Sequence, residues 1–113
     1  MDKTKFCAVE TEFGPVKGLY KPSVLGRDYF SFNSIPYMKA PLGKLRFRDA
    51  QSPEKWNETL DTTGARPSYT TSDFLTKTVG GQEDAGILSV DTPYLDRKLP
   101  VAVYIHGGGF QGG

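Results

Sequence analysis

The sequence predicts an α/β protein read from its strand-rich front end, and three observations point that way. The apolar run Val101-Ala102-Val103-Tyr104-Ile105 does not alternate with polar residues, as expected of a strand buried on both faces in a parallel sheet. The first third of the chain alternates with a period of two, as expected of an antiparallel meander. Between these stretches almost nothing has helical spacing, so the helices that a central parallel strand requires on both faces are not among these residues. The simplest expectation is the front portion of a larger α/β domain, running over residues 1–113 with no internal boundary.

Taken in order, Ala8 to Lys21 reads as a hairpin. Val9, Thr11 and Phe13 alternate with Glu10 and Glu12, Gly14-Pro15 turns, and Val16 and Leu19 return. Pro22 to Asp28 is a loop, and Tyr29 to Ile35 is an aromatic, alternating third strand. Pro36 to Pro53 carries no period but holds Tyr37, Leu42, Leu45 and Phe47, so it is a long loop held by buried side chains. Trp56 is expected to anchor its end, because so large a ring is seldom left in water. Leu60 to Thr63 reads as a short strand, Ser72 to Thr78 as a helical turn capped by Ser72, and Ile87 to Pro93 as a strand.

Composition narrows the classes. The chain is 37% hydrophobic and 24% charged, which suits a folded globular chain rather than a disordered one. A net charge of +1 gives no reason to invoke nucleic acid. No window approaches a transmembrane span, and no apolar segment follows the charged start as in a secretory leader. The single cysteine, Cys7, and the single histidine, His106, exclude an intrachain disulfide and the usual metal centres, and no cofactor is expected. These features lean towards an intracellular protein, with secretion the alternative if residues precede Met1. Asn57-Glu58-Thr59 fits the N-glycosylation sequon, which a chain without a leader would leave unused. Nothing in the residues fixes an oligomeric state.

The chemistry concentrates where the last strand breaks into His106-Gly107-Gly108-Gly109-Phe110. Successive glycines let the backbone come close to a ligand and point several N–H groups at one negative oxygen, which is what an oxyanion hole needs. The alternatives are a plain tight turn and a phosphate cradle, and the second lacks the Lys and Ser/Thr of a P-loop. His106 reads better as a residue orienting the glycine loop than as a catalytic base or metal ligand.

Five stretches in order carry a resemblance over nearly the whole chain. They are Val9 to Gly18, Phe32 to Tyr37, Pro41 to Phe47, Glu83-Asp84, and Tyr104 to Phe110. Together they resemble the start of a type-B carboxylesterase, the family that includes insect α-esterases and cholinesterases. The resemblance implies an α/β-hydrolase fold and a Ser-Glu/Asp-His triad whose serine sits in a G-x-S-x-G elbow. No such pentapeptide occurs here, so the nucleophile, acid and base are expected outside these residues.

The same resemblance implies that Gly108 and Gly109 donate N–H groups to the oxyanion and that Gly107 and Phe110 shape the loop and pocket. It also implies a structural ion pair of Arg46 with Glu83, and a small ester as substrate. The second reading is a non-catalytic relative, an adhesion protein of the neuroligin type on the same fold. A free-standing β domain is a third, and would leave an apolar strand at an open edge.

The chain departs from the family pattern E-D-C-L-Y-L-N, reading Glu83-Asp84-Ala85-Gly86-Ile87-Leu88-Ser89. Ala85 stands where the family has a bridging Cys, and the loop from Ala65 to Tyr69 lacks a Cys to pair with it. Gly86 stands for a Leu, and Met38-Lys39-Ala40 for the usual Ala-x-Pro.

Overall fold

The computed structural model describes residues 5–64, 71–72, 79–82 and 84–107. Strands β1 (Lys5–Glu10), β2 (Pro15–Pro22) and β3 (Asp28–Pro36) form the expected antiparallel meander. Short strands β4 (Leu60–Asp61), β5 (Thr71–Ser72) and β6 (Val79–Gly80) follow, then β7 (Ile87–Thr92). The main sheet has the order β1-β2-β3-β7, with β4 parallel to β2, while β5 and β6 pair separately. Among the described residues the only helical piece is a 3-10 turn at Gly43–Leu45.

The β1–β2 turn falls one step earlier than the alternation suggested. Thr11 to Gly14 make the turn, closed by Thr11 N–H donating to Gly14 O at 2.9 Å and the Thr11 hydroxyl donating to the same oxygen at 2.6 Å. Pro15 then opens β2, a position where its missing N–H costs no ladder bond. The register pairs Val9 with Val16 and Glu10 with Pro15. Along β2, Val16 and Gly18 turn to the buried face.

Thr62 explains how two strands share one side of β2. β3 runs beside β2 only from Leu19 to Pro22, and β4 pairs with Val16 and Lys17 where β3 has diverged. Thr62 sits in the fork with no exposed surface. Its N–H and hydroxyl both donate to Lys17 O, at 2.9 and 2.7 Å, and its own carbonyl accepts from Asn33 N–H at 2.8 Å. Asn33 lies in the register shift between Phe32 and Ile35, where its carbonyl is freed to accept from the Ser89 hydroxyl at 2.6 Å. A bulge in β3 thus couples β2 to β7 through side-chain bonds that a regular ladder would not make.

Among the described residues the buried apolar side chains are few: Val16, Phe32 and Ala85. The accessible surface is 9301 Å², against about 6,100 Å² for a compact domain of this mass. The Cα radius of gyration is 16.0 Å, against about 13 Å for a compact chain of about this length. These residues therefore make a sheet without closing a core over it.

Two expectations are corrected. Val101 to Ile105 form no strand, and Val101 and Tyr104 are 87% and 89% exposed. A strand needs a neighbour for its backbone groups, and no described strand runs beside this segment. Tyr37, Leu42 and Phe47, expected to hold the long loop as buried side chains, are 49%, 47% and 95% exposed. Ser72 pairs with Val79 in a two-stranded ladder, and the helical turn expected after it lies outside the described residues.

Candidate active-site loop

The glycine loop is entered from this uncovered segment. Pro100 to Gly107 run without regular structure, and Val103 and Ile105 stand exposed on the way to His106. The His106 Nδ1–H donates to the Gly107 carbonyl at 2.8 Å, a local contact that turns the ring back along the chain. A Cβ at Gly107 would meet nothing within 4 Å, so packing by the described residues does not require glycine there. Gly108, Gly109 and Phe110, the expected oxyanion donors and pocket residue, lie outside the described residues.

Of the expected ion pair, only Arg46 is described. It follows the 3-10 turn, its N–H donates to Gly43 O at 3.3 Å, and its guanidinium lies 5.2 Å from the centre of the Phe47 ring. Glu83 lies outside the described residues.

Phe47 carries a feature the sequence does not announce: a φ of 62° on a non-glycine residue. L-residues pay roughly 1–2 kcal/mol to sit there. The kink reverses the chain directly after the Pro41 to Phe47 motif, and Arg48 N–H returns to Leu45 O at 3.1 Å. No residue type that favours positive φ marks the position, so composition could not have found it.

Among the described residues, other reactive groups are not set up for chemistry. Burial pushes the Cys7 thiol above its ordinary value, against a smaller opposing effect from the Gly18 backbone, which is the reverse of an activated nucleophile. Among the described residues, no three His, Cys, Asp or Glu side chains group as metal ligands. An open surface groove beside the β2–β3 loop brings Arg27, Asp28 and Asp91 together. Its one serine, Ser23, already accepts from Arg27 N–H at 3.2 Å and has no histidine beside it. Among the described residues, no helix is long and apolar enough to cross a membrane.

Comparison with known proteins fits this sheet and loop. The carboxylesterase family matches over residues 6–113. The chain belongs to the carboxylesterase family, and its sheet is part of an α/β-hydrolase fold. It is 43% identical over 112 residues to esterase B1 of Culex pipiens, covering 93% of this chain and 20% of that protein. It is 38% identical over 109 residues to juvenile hormone esterase of Tribolium castaneum, covering 93% of this chain and 18% of that protein. The crystal structure of juvenile hormone esterase from Manduca sexta, with OTFP covalently attached, superposes with a TM-score of 0.84 at 39% identity, covering 96% of this chain and 22% of that one. The chain thus spans about one fifth of the length of the curated relatives it matches.

Proposed function

We propose that residues 1–113 are the N-terminal part of a carboxylesterase type-B domain and supply the oxyanion loop of a serine esterase. The reaction is hydrolysis of a small carboxylic ester through an acyl-enzyme. A serine outside these residues attacks the ester carbonyl, and the carbonyl oxygen becomes negative in the tetrahedral intermediate. The N–H groups of Gly108 and Gly109 donate to that oxygen, His106 and Gly107 orient the loop, and Phe110 lines the pocket. Each such donor is worth about 3–4 kcal/mol in the transition state. Arg46 and Glu83 clamp the loop after Pro41 to the segment before β7, an interaction that fixes position more than it adds stability.

The observation that carries this reading is the family match over residues 6–113 together with an intact His106 to Phe110 motif. The relatives named above are esterases, which favours catalysis over the adhesion reading. The test uses the protein containing this chain together with its downstream sequence. Gly109→Pro removes one N–H, while Gly109→Ala keeps it. We expect p-nitrophenyl acetate turnover in the parent protein and a fall in kcat of about 100-fold or more for the proline variant beyond that of the alanine variant. Equal loss in both variants would reject the donor role, and no turnover in the parent would reject the esterase.

A further inference from the structure

The sequon Asn57-Glu58-Thr59 is not used by the proposed chemistry, and the structure gives it a distinctive setting. All three residues are exposed. They bridge two fixed points. On one side Trp56 N–H donates to Phe13 O at 2.8 Å and its indole Nε1–H donates to Pro15 O at 2.8 Å. On the other side Leu60 enters β4, paired with Val16. Among the described residues nothing hydrogen-bonds the Asn57 side-chain amide, so its nitrogen is available without breaking a contact. The middle residue is Glu58 rather than the proline that would block recognition, and the hydroxyl residue is a threonine. The chain's other asparagine, Asn33, is followed by Ser34-Ile35, which is no sequon, and it is engaged in the β3 bulge.

We propose that Asn57 is the attachment site of an N-linked glycan. In the transfer, Asn57 Nδ2 bonds to the anomeric carbon of a lipid-pyrophosphate-linked oligosaccharide. The anomeric C–O bond breaks, its electron pair leaves with the pyrophosphate, and Nδ2 gives up one proton. The sugar then stands at the β1–β2 turn end of the sheet and extends into solvent from the exposed span after Trp56. The assignment requires that the chain enter the secretory pathway, so one measurement tests both.

The protein is purified from the tissue that makes it, and the tryptic peptide spanning residues 56–77 is read by mass spectrometry. Digestion with peptide N-glycosidase in heavy-oxygen water is the comparison. The expected result is no unmodified peptide before digestion and, after it, Asn57 converted to oxygen-labelled Asp. A peptide found mainly unmodified before digestion overturns the proposal. In secreting insect cells, the glycosidase-sensitive gel shift is expected to vanish in Asn57→Gln and Thr59→Ala and to persist in Thr59→Ser. A shift that survives Asn57→Gln also overturns it.

Discussion

Met38 fills the space beside Gly86: a Cβ at position 86 would lie 2.8 Å from the Met38 sulfur. Non-bonded heavy atoms are most comfortable at about 3.5–4.0 Å, so position 86 has room for hydrogen alone. The contact joins two of the places where the chain departs from the pattern of the family it resembles. Where that pattern has a small residue at 38 and a leucine at 86, this chain has a methionine and a glycine. The Met38 side chain occupies the space that a side chain at position 86 would need.

Restoring leucine at 86 alone overpacks this contact. Gly86→Leu is expected to destabilise the protein by about 1–3 kcal/mol. In a Met38→Ala background the penalty shrinks, giving a coupling of about 0.5–3 kcal/mol in a double-mutant cycle. Urea midpoints of the four proteins measure it, and simple additivity would show that the two positions do not share the space.

Trp56 covers the β1–β2 turn so closely that a Cβ at Gly14 would lie 2.5 Å from its Nε1. Gly14 also sits at a φ of 153°. Gly14→Ala must therefore displace the indole and is expected to cost about 1–3 kcal/mol. Trp56→Phe loses one hydrogen bond to Pro15 O and is expected to cost about 1 kcal/mol. As the only tryptophan among residues 1–113, Trp56 reports on its own seat. Its emission should shift to the red in Gly14→Ala, and an unchanged spectrum would mean the ring had not moved.

The Thr63 hydroxyl and then the Thr63 N–H donate to Asp61 and lower its pKa; desolvation opposes them, and Lys17 adds the smallest attraction. A carboxylate whose folded pKa is depressed adds stability above its unfolded pKa. That contribution is lost as pH falls through the folded value. The Asp61 carboxyl, followed by NMR, is expected to titrate below the ordinary aspartate range and to move back up in Thr63→Ala. A midpoint unchanged by Thr63→Ala would remove the hydroxyl from the explanation.

Residues 1–113 expressed alone are expected to hydrolyse no p-nitrophenyl ester above buffer. Their amides should exchange without a cooperative protected core, with the slowest in β2 and β3, which have strands on both sides. Turnover, or a protected core throughout, would contradict the account of a sheet that is not closed by these residues.

The meander was legible because period-two alternation is a local property: Val9, Val16 and the aromatic run from Tyr29 to Phe32 need only their own hairpins to pair. β7 was legible for the same reason, and Trp56 from its size. What escaped the sequence depended on neighbours far along the chain. The Asn33 bulge exists because Thr62 and Ser89 supply its hydrogen bonds from distant segments. Phe47 turns at positive φ with no residue to announce it. Val101 to Ile105 are sequence-perfect for a buried strand, yet pairing and burial are not theirs to provide. In the proposed site, the glycine motif was readable as chemistry but not as geometry, because a loop takes its shape from what stands around it.

The pairing of Pro36 with Ile87 closes β3 onto β7 and makes a hairpin whose connection is everything from Tyr37 to Gly86. That long arc touches down at Trp56 and Thr62. Because closure entropy grows only with the logarithm of length, doubling such an arc costs about 0.6 kcal/mol. Added length in that connection is therefore cheap in closure entropy so long as Trp56, Thr62 and the Met38–Gly86 contact stay in place.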